Sequence, residues 1–182
     1  FGLGTAINSG QGVFDHFIDT RDLVSYKFIM GNLLFIPTMA KINEGDLGDE
    51  DDVDEYSIQT EYINPETDLS VGALFQFRNA TKTGNDTPKN INGTNQSDSQ
   101  GYRTRLVGLY FKQKVEDFKI GFEADLLSGT TGLVTSNSRE IGVEAFSINS
   151  DITYRAQNAA TTWGLKAGIV SGDDPGTEDT LE

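Results

Sequence analysis

The sequence predicts an all-β fold, an antiparallel meander that forms a transmembrane β-barrel or part of one. Three observations lead there. Apolar and polar residues alternate with period two over several stretches of about ten residues. No window of a dozen residues keeps the i, i+3, i+4, i+7 spacing of an amphipathic helix. Long polar connections also alternate with tight turns along the chain.

The elements follow in chain order. Phe1 to Ile7 reads as the tail of a strand. Leu23 to Met30 reads as a second, with Val24, Tyr26, Phe28 and Met30 on one face, and a tight turn at Gly31-Asn32 leads into a third over Leu33 to Ile42. Pro37 marks an irregular position in that third strand, because proline cannot donate to a ladder. In 55–64 the positions Tyr56, Ile58, Thr60 and Tyr62 alternate with Ser57, Gln59 and Glu61. A turn at 65–68, with Pro65 at an early position, leads into 69–78, where Leu69, Val71, Ala73, Phe75 and Phe77 share a face. Tyr102 to Val115 is extended without a clear phase. A tight turn at 116–117 precedes 118–127, with Phe118, Ile120, Phe122, Ala124 and Leu126 in phase. Arg139 to Tyr154 switches from odd to even apolar positions near Ala145-Phe146, which predicts a bulge there. Finally, 162–171 alternates through Trp163, Leu165, Ala167 and Ile169. That makes about nine strands in one domain, 1–182.

Composition fits. The chain has 182 residues, 28 acidic against 14 basic, and a formal net charge of −14, which argues against a nucleic-acid binder. It has no cysteine, so disulfide scaffolds and thiolate metal sites are excluded. The longest apolar run is about five residues, Leu33 to Pro37, against the roughly 20 that a membrane-spanning helix needs. Barrel strands escape that test, since only alternate positions need be apolar. The chain opens at Phe1 without an apolar signal core and closes at Leu181-Glu182, and it is expected to be an internal or processed piece.

The spacing of the connections favours a membrane barrel over a soluble sandwich. Long connections are expected at 8–21, 45–54, 79–100, 128–138 and from 171 onward, with short ones between them. In a meander that rhythm gathers all long loops at one end and all tight turns at the other, as in outer-membrane barrels. Tyr62, Tyr102, Phe118, Tyr154 and Trp163 fall at or near strand ends, where an interfacial aromatic belt would sit. The polar phase carries Glu61, Gln76, Arg78, Lys119, Glu123, Asp125 and Lys166. Charges at lipid-facing mid-strand positions are costly, so Glu61, Arg78, Lys119, Glu123, Asp125 and Lys166 are the expected lumen lining. A soluble barrel would show the same alternation with the faces exchanged.

Gly2-Leu3-Gly4, Asp19-Thr20-Arg21-Asp22, the run Glu44 to Asp54, Gly164-Leu165-Lys166-Ala167-Gly168 and Ser171-Gly172-Asp173-Asp174-Pro175 together resemble large porin-like outer-membrane proteins of Gram-negative bacteria. The likeness is one of pattern over nearly the whole chain. It is strongest to a poorly characterised deltaproteobacterial outer-membrane family and fainter to alginate-export-type porins. It implies an outer-membrane location, contact with lipid and lipopolysaccharide, and further barrel strands or a homo-oligomer. Such families are longer and end on an aromatic residue, which this chain lacks.

Chemistry-bearing motifs are few. His16 is the only histidine and lies in an expected loop, with no nucleophile elbow and no phosphate-cradling glycine loop in the chain; no enzyme is expected. Four N-x-[ST] matches, at Asn79, Asn85, Asn92 and Asn95, fall in an Asn/Thr-rich stretch where chance produces them. The sharpest feature is the acidic run Glu44, Asp46, Asp49, Glu50, Asp51, Asp52, Asp54 and Glu55, which contains no base. Two readings stay open: a solvated acidic rim, and an oxygen-rich Ca²⁺ loop that lacks EF-hand spacing. Asp46, Asp49, Asp51, Asp52 and Asp54 are its candidate cation-binding residues. Asp173, Asp174, Glu178 and Asp179 form a second, smaller cluster. The expected function is a porin-like passive channel for small solutes with an acidic extracellular mouth. The alternative is a soluble or cell-surface all-β binding module, with Ca²⁺-dependent carbohydrate binding as one form.

Overall fold

A computed structural model describes residues 22–41, 53–80, 103–134, 140–156, 161–171 and 180–181. All described strands belong to one sheet, and no helix occurs among the described residues. The strands are β1 (Asp22–Ser25), β2 (Phe28–Met30), β3 (Leu33–Lys41), β4 (Val53–Asn64), β5 (Leu69–Ala80), β6 (Arg103–Val115), β7 (Phe118–Val134), β8 (Glu140–Tyr154), β9 (Trp163–Val170) and β10 (Thr180–Leu181). From β3 to β9 each strand pairs antiparallel with the next, so the chain is a meander. Among the described residues the sheet does not close on itself, as in a section of a barrel.

The strands expected at 55–64, 69–78, 118–127 and 162–171 are present, and so are the tight turns at 31–32, 65–68 and 116–117. The turn 65–68 is fixed locally: the Glu66 amide donates to Asn64 Oδ1 over 3.0 Å, an Asx turn ahead of Asp68 at φ 49°.

Five expectations need correction. The segment Leu23 to Met30 is not one strand but β1 and β2, broken at Tyr26-Lys27. The cause is Pro37. Tyr26 faces it across the ladder and donates its amide to Pro37 O at 3.1 Å, but proline has no N–H to return. On its other side β3 pairs with β4 without interruption from Leu33 to Lys41, so the irregularity expected at Pro37 falls on its partner instead. Of the long loop expected at 128–138, residues 128–134 are strand, because β7 continues to Val134; 135–138 lie outside the described residues, and β8 begins at Glu140. The bulge expected near Ala145-Phe146 lies elsewhere: β8 keeps one register with β7 from Tyr154 to Gly142, and the shift falls between Thr130 and Val134 of β7. Gly129, at φ 152° against the Arg103 carbonyl, stands just before it; a β-carbon there would strike that backbone. The end of the chain is not wholly loop, since Thr180 and Leu181 pair in parallel with Gly142 and Val143. The strand tail expected at Phe1 to Ile7 lies outside the described residues.

The two faces of the sheet differ in kind. One carries Tyr56, Ile58, Tyr62, Val71, Phe75, Ile120, Phe122, Trp163 and Leu165, all exposed, with Phe77 half-buried in the same phase. The other carries the enclosed side chains, and most of these are polar: Glu55 and Glu123 are 1% and 0% exposed, and Gln76, Thr104 and Asp125 are also buried. Every described strand lies in the one sheet, so no second described sheet covers these side chains. Charged residues are almost never fully buried unless paired, so this face calls for specific partners.

Candidate functional site

Because directly opposed residues of antiparallel strands share a face, the register lays out the polar face as rows across the sheet. Nearest the long connections Glu55 (β4), Arg78 (β5) and Thr104 (β6) stand in line. Arg78 Nε donates to Glu55 Oε2 over 2.9 Å, an ion pair with one partner fully buried. Further down, Leu74, Gly108, Asp125 and Ser147 form a row. Ser147 Oγ donates to Asp125 Oδ2 at 2.9 Å. Gln76 Nε2 and Asp125 Oδ1 are enclosed with no protein hydrogen-bond partner among the described residues.

The next row runs Glu61, Gly72, Tyr110, Glu123, Asn149 and Gly168. Tyr110 lies across Gly72, where a β-carbon would run into its ring, and its hydroxyl donates to Glu61 on the far strand. Asn149 fits over Gly168 in the same way. Glycine at the crossing lets the long side chain lie flat across the face. One row nearer the tight turns come Ser70, Lys112, Gly121, Asp151 and Lys166. Lys166 Nζ pairs with Asp151 at 3.3 Å, and Lys112 sits 5.5 Å from the centre of the Tyr110 ring. The last row sets Lys114 directly against Lys119 and Thr153.

Glu61, Arg78, Lys119, Glu123, Asp125 and Lys166, the residues expected to line a lumen, therefore lie on one face. Lys119 and Lys166 are exposed, the others wholly or partly buried. Sequence periodicity misses Glu55, Tyr110, Lys112, Lys114 and Asp151. A signal for three of them is present: Tyr110, Lys112 and Lys114 alternate with Phe111, Gln113 and Val115. It is obscured because Leu106 and Leu109 are apolar on opposite faces of β6.

The acidic run divides. Asp46, Asp49, Asp51 and Asp52 lie outside the described residues. Asp54 belongs to β4, facing Lys41 and Asn79 on the apolar side of the sheet. Glu55 is no rim residue: it is the buried partner of Arg78, so the run does not stand without a base. Among the described residues no three acidic or histidine side chains gather as a metal site.

The opposite face also has an order. The row Val24, Met39, Tyr56, Phe77, Arg105, Ser128 and Glu144 is apolar on β1 to β5 and polar on β6 to β8. Near the turns, the row Asn64, Leu69, Gln113, Ile120, Ile152 and Leu165 starts polar and ends apolar. The apolar band thus runs obliquely to the rows, shifting toward the tight turns from β3 to β9. Its lower border on β7 to β9 is aromatic: Phe118, Tyr154 and Trp163 stand side by side, with the first two rings 4.8 Å apart.

No protein-family model, no curated protein and no solved structure matches this chain.

Proposed function

We propose that the chain forms part of the wall of an outer-membrane β-barrel whose polar face lines a water-filled passage for small solutes. The observation that carries this is the make-up of the two faces: most large exposed apolar side chains stand on one, and most charges stand on the other, the exceptions such as Arg105 and Glu144 lying near the long connections. In water such a surface would be a severe liability; in hydrocarbon it is the required one. A soluble module would need a second layer over the apolar band, and no described strand supplies one. The oblique band adds support. A band that stays level in a bilayer crosses the rows obliquely only if the strands tilt. A shift of one to two rows is ~7–13 Å at ~3.3 Å per residue, in keeping with tilted barrel strands. The aromatic border fits the membrane interface.

Solutes would pass by diffusion among Glu61, Arg78, Glu123, Asp125 and the lysines. Water would meet Gln76 Nε2 and Asp125 Oδ1, which lack protein partners among the described residues. The acidic run at 44–54 would enrich cations at the mouth bearing the long connections. The outer edges of β2 and β9, which pair with no other described strand, would pair with further strands, from the same polypeptide or a second copy.

Trp163 is the only tryptophan and lies on the apolar face, 70% exposed, so it reports directly. In lipid vesicles its fluorescence should be quenched by brominated acyl chains and shielded from aqueous acrylamide, and planar bilayers should show discrete conductance steps. Acrylamide-accessible Trp163 in a vesicle-reconstituted chain would count against the proposal.

A further inference from the structure

We infer that the polar face holds an anion-binding site at its tight-turn end, suited to a small solute bearing a phosphate or carboxylate group. The sequence makes the location unusual. The chain has a formal charge of −14 and only eight lysines, yet Lys112, Lys114, Lys119 and Lys166 fall on one face within two adjacent rows. The first three line a cavity of about 540 Å³ together with Asp68, Ser70 and Asp151 among others.

The pairing within this group is incomplete. Lys166 pairs with Asp151 at 3.3 Å, while Lys114 reaches Asp68 only at 4.0 Å, between two half-exposed side chains. Lys119 forms no ion pair among the described residues. It also stands directly opposite Lys114. Like charges in opposed positions destabilise a sheet, so this arrangement favours an anion bridging the two ammonium groups. Lysine binds phosphate as a flexible point charge, and the Ser70 hydroxyl can donate alongside. Asp68 and Asp151 stand among these lysines, with Glu116 and Asp117 in the adjoining turn, and these acids moderate the hold on an oxyanion. A passage needs such weak binding if the solute is to leave again. One row deeper stand Glu61 and Glu123, which repel the same anion, so the site is entered from the turn end.

The inference rests on a water-lined polar face, and the test separates the two. The full-length protein in detergent is titrated calorimetrically with inorganic pyrophosphate, free of divalent cations. Saturable binding is expected, weakened about tenfold or more in Lys114→Gln/Lys119→Gln and restored in Lys114→Arg/Lys119→Arg. Lys82→Gln/Lys89→Gln, which removes equal charge from the 81–102 connection, should bind like wild type. No binding by the wild type overturns the inference, as does equal affinity in the Lys114→Gln/Lys119→Gln protein. Conductance is recorded in parallel. A protein that conducts but binds no pyrophosphate loses the site and keeps the passage; one that binds through these lysines but never conducts loses the passage and keeps the site.

Discussion

Phe122 and Glu123 are neighbours in sequence and opposites in environment. The first is 43% exposed on the apolar face, the second fully buried on the polar one. The same inversion repeats along β4 to β8. The apolar face works by kind: its residues need only be apolar, and one ring or branched chain can stand for another. The polar face works by partner: Arg78 has Glu55, Tyr110 has Glu61 across Gly72, and Ser147 has Asp125. One face should therefore tolerate any swap that preserves polarity, and the other should resist even small changes of shape.

The largest expected effect tests polarity. Phe122→Lys puts a charge in the middle of the apolar band. In a bilayer such a charge costs ~2–4 kcal/mol, whereas Phe122→Leu should lie well below that. Reversible urea unfolding from vesicles measures both. If lysine and leucine cost the same, the band does not face lipid.

A smaller effect tests shape, on two adjacent residues. Gly72→Ala drives a β-carbon into the Tyr110 ring and should cost ~1–3 kcal/mol, the usual range for overpacking. Ala73→Val, one position along on the apolar face, adds more volume and should cost less. In a Tyr110→Leu background most of the Gly72→Ala penalty should disappear, because the clash is with that ring. A penalty that survives there would trace to the nearby Thr60 carbonyl, and the tyrosine would not be what demands glycine.

The division between faces also explains what was legible in the sequence. On β4, β5 and the first part of β7 the alternation is clean because one face is apolar and the other polar, so strands and turns follow from local pattern. It fails where both faces are apolar. Leu106, Leu127 and Ala145 stand in one row on the polar side near the long connections. They blur the phase of β6 and mimic a bulge in β8. The break at Tyr26-Lys27 was out of reach for another reason: its cause, Pro37, lies on a different strand, and only the register brings them together. The candidate site was half legible. The charges on cleanly alternating strands were found, but those of β6 and the partner relations, such as Glu55 with Arg78, are long-range facts.

The smallest effect asks whether the apolar face is indifferent to partner up to its border. Phe118 and Tyr154 are directly opposed on β7 and β8, with ring centroids 4.8 Å apart and planes tilted by 43°. In lipid there is little hydrophobic drive for two apolar groups to meet, since acyl chains are as apolar as side chains. What remains is the geometry of the rings, worth roughly 0.5–1 kcal/mol for a cross-strand aromatic pair. A double-mutant cycle with Phe118→Leu and Tyr154→Leu isolates it, because leucine keeps the surface apolar while removing both rings. A coupling in that range would make the turn-end border a place where the apolar face, too, chooses its partners. A coupling indistinguishable from zero would extend indifference to the whole face and leave interfacial solvation as the one reason for rings at that height. Trp163, beside Tyr154 on β9, supplies the comparison: Trp163→Leu should weaken membrane insertion without altering the Phe118–Tyr154 coupling.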